Sequence, residues 1–290
     1  MARHAKTERM LEVAREVLRE AHPMTVRQVY YQLVSRLVIE NGRSAYQAVS
    51  KLLAEARKSG EVPWEWIEDR LRRPRAPGMW SGLPDYADTV RQCYRRDVWQ
   101  DQPAYLEVWL EKDALSGIFE DVLRPYGVTL NVGRGFDGWS SIHAVAERFK
   151  ERRNQGRETT IIYFGDFDPS GEDMFRSLRE RLAECGSRPE MVKAALTIED
   201  IKRYNLPPDF TKATDSRSRK FVAKYGDLAV ELDALPGRVL RERIESEVRA
   251  RMDLEALAET RRRQEEDEQR LEQALAAIGW VGSDGEECDP

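Results

Sequence analysis

Apolar residues in the first part of the chain recur at helical spacing in three segments. Residues 7–21, 26–37 and 45–58 each place hydrophobic side chains three or four positions apart, which is the pattern of an amphipathic helix. A hydroxyl side chain that can cap a helix stands at or before the start of each segment. The three candidate caps are Thr7, Thr25 and Ser44. The pattern therefore predicts three short helices, with a break after the first at His22 and Pro23.

Residues 61–69 follow the third helix and alternate enough to predict a short strand or wing. Three short helices followed by a wing are typical of a winged-helix domain, which we assign to residues 1–75. Its third helix would enter the major groove of double-stranded DNA. The side chains that it would present are Arg43, Gln47, Lys51 and Lys58. The alternative is a helical bundle with ordinary surface charges.

From residue 104 onward, short apolar runs alternate with amphipathic segments. The predicted strands are Ala104–Leu110, Thr129–Val132 and residues 161–164, 192–196 and 228–232. The predicted helices are residues 114–123, residues 140–150 and a segment from about Glu172 to Cys185, capped by Ser170. Alternating strands and helices form parallel sheets with helices on both faces. We therefore predict an α/β fold with a Rossmann-like, mainly parallel sheet over residues 104–240.

Two segments outside these domains are rich in charge. Residues 76–103 are predicted to be a linker, and the chain leading into it is basic and rich in proline. Its arginines are Arg72, Arg73 and Arg75. They either follow a phosphate backbone or only solubilise a tether. Residues 241–290 are predicted to form a charged helical tail that is disordered from Val281.

Composition narrows the class of protein. At 290 residues, of which 41% are hydrophobic, the chain is long enough for two compact domains. No apolar run is long enough to cross a bilayer, and no signal-peptide pattern opens the sequence. Three scattered cysteines, Cys93, Cys185 and Cys288, form neither a CxxC pair nor a zinc spacing. These features predict a cytoplasmic protein without a membrane partner.

Charge is distributed unevenly along the chain. The formal net charge is −5, which alone argues against a nucleic-acid partner. However, residues 1–75 hold 15 Lys and Arg against 10 Asp and Glu, whereas residues 241–290 hold 8 against 15. A basic end can meet phosphates while an acidic tail masks the average.

The stretch TTIIYFGDFDPSGED, residues 159–173, combines an apolar run with paired carboxylates. Asp166 and Asp168 follow that run, and Glu111 follows the strand Ala104–Leu110. Because the carboxyl ends of parallel strands meet at one edge of a sheet, the three carboxylates are expected to lie together. Carboxylates held close repel one another, and their oxygens suit Mg2+. The sequence thus favours a magnesium site over an acidic turn that only caps a helix.

Other glycine and lysine positions carry weaker signals. Arg134, between two glycines, and Lys112, next to Glu111, are candidate phosphate contacts. Neither a dinucleotide-binding fingerprint nor a P-loop is present. The chain therefore has no visible ATPase of its own.

The second predicted helix carries two adjacent tyrosines. Tyr30 falls on its apolar stripe, whereas Tyr31 lies about 100° further round and should be off the core. Arg27 stands one turn before Tyr31 on the same side. A partly exposed tyrosine beside an arginine is a candidate nucleophile, since the cation favours the phenolate. Simple packing on the flank of a helix is the alternative.

Taken together, these residues resemble a known family. Glu111 after one strand and DFDPSG, residues 166–171, after another resemble a Toprim domain, the metal-binding module of topoisomerases, primases and some nucleases. RQVYY, residues 27–31, resembles the cleavage motif of the topoisomerase VI A subunit and its meiotic double-strand-break relatives. ELDAL, residues 231–235, resembles a late motif of the same family. The short chain is similar to the compact, mini-A-like form.

The resemblance implies a function and a set of roles. Tyr31 matches the covalent nucleophile, which would attack a phosphodiester and leave a 5′-phosphotyrosyl end. Glu111, Asp166 and Asp168 match the magnesium ligands, and Arg27 would position the tyrosine or the phosphate. In such relatives the tyrosine of one protomer works with the metal site of the other, so a homodimer is expected. A separate ATPase subunit is a further candidate partner.

Two other functions fit the same residues. In the first, the chain is a hydrolytic Toprim nuclease, in which water replaces the tyrosine. In the second, it is a non-catalytic DNA-binding protein of a mobile element, with an idle metal site.

Overall fold

The computed structural model describes residues 5–67, 77–133, 138–208, 218–226 and 228–279, without the side chains of residues 218–220. The chain divides into two compact units. The first contains the described residues of 1–72 and 104–251, and the second those of 73–103 and 252–290. The first unit thus joins the predicted N-terminal helices and the predicted sheet in one body.

Along the chain, helices precede, separate and follow the strands. They are α1 (Ala5–Ala21), α2 (Val26–Ser35), α3 (Arg43–Lys58), α4 (Leu83–Cys93), α5 (Ser116–Leu123), α6 (Trp139–Asn154), α7 (Pro169–Glu184), α8 (Ile198–Tyr204), α9 (Ser218–Tyr225), α10 (Gly237–Arg249) and α11 (Leu254–Ala277). No helix in the described residues is long and apolar enough to cross a membrane.

A four-stranded parallel sheet forms the centre of the first unit. Its strands are β1 (Ala104–Leu110), β2 (Thr129–Val132), β3 (Glu158–Phe164) and β4 (Glu190–Ala195), in the order β2-β1-β3-β4. The apolar runs of β1 and β3 are buried along nearly their whole length, as expected for a parallel sheet covered on both faces. The predicted α/β class with a mainly parallel sheet is therefore confirmed.

One charged group lies inside this sheet. Glu107 of β1 is fully buried and accepts hydrogen bonds from Tyr105, Asn131 and both donor groups of Arg148. A buried carboxylate is tolerated when it is paired and fully hydrogen-bonded. Because Asn131 lies on β2 and Arg148 on α6, Glu107 ties the edge strand and a covering helix to the centre of the sheet.

The three N-terminal helices share one apolar core. The buried residues of α1, α2 and α3 pack together, among them Leu18, Leu33 and Leu53. Tyr30 connects α2 to the start of α3: its hydroxyl accepts from the backbone N–H of Gly42 (2.7 Å) and donates to Asn41 Oδ1 (2.7 Å). The buried stripe predicted for α2 is therefore also the surface that fixes α3.

Several predicted helix boundaries are wrong. Helix α1 begins at Ala5, before the expected cap at Thr7, and α3 begins at Arg43 behind Gly42, not at Ala45 behind Ser44. The prediction for α2 is confirmed at its start, where Thr25 and Gln28 form a reciprocal capping box. The residues added at these two starts, Ala5, Lys6, Arg43 and Ser44, are exposed, so the apolar pattern could not indicate them.

Two predicted strands are absent from the described residues. Residues 61–67 hold a 3-10 turn, Trp64–Trp66, and one bridge between Ile67 and Met24, where a strand or wing was predicted. Residues 228–232, also predicted as a strand, hold isolated bridge residues at Ala229 and Val230, of which Val230 pairs antiparallel with Phe167, and lead into another 3-10 turn, Leu232–Ala234. Val62, Ile67 and Val230 are buried in these segments, but neither segment forms a strand within the described residues.

The second unit is held by a few polar contacts around α4 and α11. The amide side chain of Gln102 both donates to Asp253 O and accepts from Asp253 N, each at 2.9 Å. Asp267 of α11 accepts from Tyr94 and Arg96, each at 2.7 Å. The predicted linker 76–103 thus includes a helix, and its carboxyl-terminal part is hydrogen-bonded to the charged tail.

The link between α2 and α3 can be tested by removing one hydroxyl. Tyr30→Phe should lower the free energy of unfolding by about 1 kcal/mol, because it leaves the Gly42 N–H and Asn41 without their partner. Urea unfolding followed by circular dichroism measures this change. The control is Tyr46→Phe, whose ring packs edge-on against Tyr30 but whose side chain is partly exposed. Equal stability of Tyr30→Phe and wild type would contradict the assignment.

Candidate functional site

The carboxyl edge of the sheet brings two predicted site residues side by side. Leu110 and Phe164, the last residues of β1 and β3, are in register. The ladder continues one step further, since Glu111 N donates to Phe164 O at 3.0 Å. Glu111 and the turn that carries Asp166 therefore leave the sheet at the same point, as the sequence predicted.

Glu111 reaches across this edge over two glycines. Its Oε2 accepts from Asp166 N at 3.1 Å and lies 3.4 Å from the hydroxyl of Tyr163, which donates to it. A Cβ at Gly165 would lie 2.6 Å from this Oε2, and one at Gly171 would lie 2.5 Å from the carbonyl oxygen of Asp166. Only glycine leaves room for the carboxylate here, so GDFDPSG specifies the shape of the edge as well as its charge.

Asp166 points towards Lys112, the residue that follows Glu111. Its Oδ1 accepts from the backbone N–H of Leu232 at 2.7 Å and lies 3.2 Å from Nζ of Lys112. The Phe167–Val230 bridge holds the two loops together beside these contacts. Asp166 therefore connects the sheet edge to the segment ELDAL.

Asp168, predicted to be a magnesium ligand together with Glu111 and Asp166, caps a helix in this structure. Its Oδ1 accepts from Gly171 N at 2.6 Å and caps α7, which begins at Pro169. The predicted cap at Ser170 and helix start near Glu172 are therefore wrong. Aspartate is as good a cap as serine. The alternative interpretation, that this acidic turn caps a helix, therefore holds for Asp168.

The edge carries more negative charge than its surroundings neutralise. Burial raises the pKa of Glu111, and the charge of Asp168 adds to that rise. Burial likewise raises the pKa of Asp166 to about 7, although Lys112 opposes it. Both shifts mean that the ionised carboxyls are costly where they stand, and a bound cation would remove that cost.

Tyr31 is buried, contrary to the prediction that it lies off the core. Its side chain is only 7% exposed. Helix α2 packs on one side against the N-terminal core and on the other against the 3-10 turn Leu232–Ala234. The spacing of apolar residues in α2 correctly places Tyr31 outside the apolar stripe. However, the 3-10 turn Leu232–Ala234, some 200 residues further along the chain, covers that side of the helix.

Two cations and two carboxylates surround the Tyr31 ring. Arg27 donates to the Tyr31 hydroxyl at 3.4 Å, and its guanidinium carbon lies 5.3 Å from the ring centroid. Nζ of Lys112 lies 5.6 Å from the same centroid. Arg27 also pairs with Glu231 (2.5 Å) and Asp233 (3.1 Å), and Lys112 pairs with the same two carboxylates at 2.7 and 3.5 Å.

This cluster keeps the tyrosine protonated. Burial is the largest effect that raises the pKa of Tyr31, and the hydrogen bond and charge of Glu231 raise it further against the opposing effect of Arg27. The expectation that Arg27 favours the phenolate is therefore outweighed. The pKa of Glu231 is lowered to about 2 despite its burial, because Lys112, Tyr31 and Arg27 stabilise its charge.

The predicted DNA-contacting residues fall into three groups. On α3, Arg43, Gln47, Lys51 and Lys58 are exposed, and none of the three cations has an ion-pair partner in the described part of the chain. Lys112 is only 7% exposed and is ion-paired with carboxylates in the free chain, so its phosphate contact stays a prediction. The remaining candidates, Arg72, Arg73, Arg75 and Arg134, lie outside the described residues, as does the tail from Val281.

Sequence reasoning missed three charged residues of this region. Glu231 and Asp233 were noted only as part of a resemblance, and Lys193 was not noted. Lys193 donates to Asp166 O at 3.2 Å and to the carboxylate of Glu172. The two carboxylates inside the apolar run LAVELDAL are a usable signal, since charges in a buried segment need partners.

The carboxyl edge fits Mg2+ in donor chemistry. Oxygen donors from Glu111, Asp166 and Asp168 are of the kind that magnesium prefers. Asp166 is buried and Glu111 is half-buried, and the pKa values of both are raised. Their current partners are backbone N–H groups and Lys112. Among the residues that the structure describes, no three His, Cys, Asp or Glu side chains are already grouped as they are around a metal ion.

Comparison of the chain with protein-family models, curated proteins and solved structures found no match.

Magnesium binding at this edge can be measured through stability. Mg2+ should raise the free energy of unfolding of the wild type by about 1.4 kcal/mol at about ten times its Kd, and Glu111→Gln and Asp166→Asn should abolish that rise. Thermal unfolding with Mg2+ or with EDTA provides the readout. The control is Asp173→Asn, further along α7, where Asp173 pairs with Arg176. An equal rise in all four proteins would contradict the site.

The same measurement has a defined pH dependence. Burial raises the pKa of Asp166 to about 7, so protons compete with the metal below that value. The stabilisation by Mg2+ should therefore be larger at pH 8 than at pH 6. Without metal the sign is opposite, because a carboxyl whose pKa is raised on folding destabilises the folded state as the pH rises towards about 7.

Proposed function

We propose that this chain cleaves double-stranded DNA by magnesium-dependent transesterification, with Tyr31 as the nucleophile. The proposal includes a winged-helix DNA-binding domain over residues 1–75 and a Toprim domain over residues 104–240. It also includes action in the cytoplasm as a homodimer, with a separate ATPase subunit as a further partner. Tyrosine attack and sheet-edge carboxylates of this kind are combined in the topoisomerase VI A subunit, which the sequence resembles.

The observation that carries the proposal is the bridge formed by Lys112. One ammonium lies over the Tyr31 ring and 3.2 Å from Asp166. The candidate nucleophile on α2 and the carboxyl edge of the sheet are therefore parts of one cluster within a single compact unit. Within the proposed homodimer we therefore assign each Tyr31 to the acidic edge of its own chain, whereas the resemblance implies the edge of the partner chain.

In this reaction the chain's own residues bind the DNA and supply the attacking group. The exposed cations of α3 attract the phosphate backbone. The phenol oxygen of Tyr31 forms a bond to phosphorus while the bond from phosphorus to the 3′ oxygen breaks. The phenol releases one proton and the 3′ oxygen takes one up. Arg27 lies beside the hydroxyl and can stabilise negative charge on the phosphate as the bond forms.

Glu111, Asp166 and Asp168 are the residues that would hold the metal. Bound Mg2+ supplies charge neutralisation for the phosphate and for the leaving oxygen. Because the carboxyls of Glu111 and Asp166 are costly when ionised without a partner, the free chain is poised to take up a cation.

Hydrolysis is the second candidate, and a specific observation favours it. Tyr31 is buried, and its pKa is raised by burial and by Glu231, which makes a phenolate harder to form. Water attacking at the same carboxyl edge would need no tyrosine. The two mechanisms differ in their product, since hydrolysis leaves no protein on the DNA.

Adduct trapping decides between these mechanisms. Supercoiled DNA is incubated with the protein and Mg2+, denatured with detergent and examined for breaks that carry covalent protein. Tyr31→Phe should reduce the adducts at least about a hundredfold, because the nucleophile is gone. The adjacent Tyr30→Phe is a matched control that should retain them. Breaks without protein, unchanged in Tyr31→Phe, would establish the hydrolytic mechanism instead.

The proposed role of α3 is tested by binding. Arg43→Gln and Lys51→Gln should each weaken binding to any duplex sequence and reduce the slope of log K against log salt by about one. Fluorescence anisotropy at several salt concentrations gives both quantities. Lys150→Gln is the control, because Lys150 is partly exposed on α6 and already paired with Glu147. Equal losses in all three variants would indicate only an effect of net charge.

A further inference from the structure

Two cations from different elements converge on one oxygen beside Tyr31. Nη2 of Arg27 lies 2.5 Å and Nζ of Lys112 lies 2.7 Å from Oε2 of Glu231. We propose that Arg27 and Lys112 form a subsite for a phosphodiester group and that Glu231 occupies this subsite in the free chain. This inference rests on the proposed function, in that the phosphodiester is taken to be that of DNA.

The geometry around Glu231 is that of an anion site. The guanidinium comes from α2 and the ammonium from the residue that follows Glu111, so two rigid elements hold the donors apart and aim them at one point. Arginine and lysine are the side chains that recognise phosphate oxygens. The Tyr31 hydroxyl, 3.4 Å from the same Nη2 of Arg27, lies next to that point.

Glu231 and Asp233 each pair with both Arg27 and Lys112. Of these two carboxylates, Glu231 is the replaceable one. The Asp233 side chain is completely buried, whereas that of Glu231 is 21% exposed. The buried Asp233 Oδ1 has no hydrogen-bond partner among the described residues, so this carboxylate is enclosed and cannot turn outwards to solvent. Glu231 has the longer side chain and a path to water, and Arg27 beside it is also partly exposed.

The charge count at the site argues that an incoming phosphate must replace Glu231. Arg27 and Lys112 are both paired with Glu231 and Asp233, so two cations already face two carboxylates. A third anion would leave an excess of negative charge and be repelled. Exchange of one carboxylate for one phosphodiester leaves the count unchanged.

This exchange would also bring the substrate to the tyrosine. The Tyr31 hydroxyl lies 3.4 Å from Nη2 of Arg27, so a phosphodiester in the place of Glu231 would enter next to that hydroxyl. Glu231 thus keeps phosphates away from Tyr31 until DNA displaces it.

The test is duplex binding by Glu231→Gln in a Tyr31→Phe background, where no adduct can form. Glutamine keeps the size of the side chain and removes the competing charge. Affinity for a short duplex, measured by anisotropy without Mg2+, should rise about tenfold, which corresponds to about 1.4 kcal/mol. The slope of log K against log salt should steepen by about one, as for one added phosphate contact. Adding Arg27→Gln should abolish both gains.

The controls separate the subsite from general electrostatics. Glu184→Gln removes one exposed carboxylate at the end of α7 that is remote from the sheet edge and should leave the slope unchanged. Glu231→Gln that binds no better than its Tyr31→Phe parent, or a gain that survives Arg27→Gln, would overturn the proposal. Binding does not require chemistry, so the gain can occur in a protein that forms no adducts. In that case the proposed reaction fails and the subsite stands, whereas adducts without the gain refute the subsite alone.

Discussion

The first unit depends on one buried ammonium. Lys112 pairs with Asp166 at the sheet edge and with Glu231 and Asp233 in the loop that covers α2. Three carboxylates could not share this small volume without it, because breaking a buried ion pair leaves an uncompensated charge that costs several kcal/mol. Lys112 therefore holds together the N-terminal helices, the parallel sheet and the segment ELDAL, and it places Tyr31 beside the acidic edge.

The sequence locates all four strands of the sheet, but it predicts only some of their ends. Strand β1 begins and ends where predicted, since a strand buried in a parallel sheet is an apolar run bounded by polar residues. The partly exposed edge strand β2 also has its predicted bounds, whereas β3 and β4 begin earlier than predicted, each at a glutamate. Helix starts are harder, as α3 shows: backbone geometry at Gly42 begins it without any side-chain cap. The segments 61–67 and 228–232 were mistaken for strands because their buried apolar residues serve 3-10 turns and single bridges.

The sequence likewise predicts one part of the candidate site and misses another. That Glu111 and Asp166 are neighbours follows from parallel strands in register, which sequence can indicate. The burial of Tyr31 could not be predicted from α2 alone, because a helical wheel reveals apolar faces and gives no sign that a distant polar loop covers another. The role of Lys112 was missed for a similar reason: a lysine next to a carboxylate reads as surface charge until its three partners are brought together by the fold.

The same ion pairs that stabilise the free chain oppose its proposed chemistry. A nucleophilic tyrosine must lose its proton, yet burial and Glu231 raise the pKa of Tyr31. A site for phosphate must offer free cations, yet Arg27 and Lys112 are already paired. The second conflict is resolved if a phosphodiester takes the place of Glu231, and the first is reduced if a metal on the carboxyls of the sheet edge adds positive charge near the tyrosine. Tyr31 would then be reactive only in the complex with DNA, and in the free protein it would not attack other phosphates.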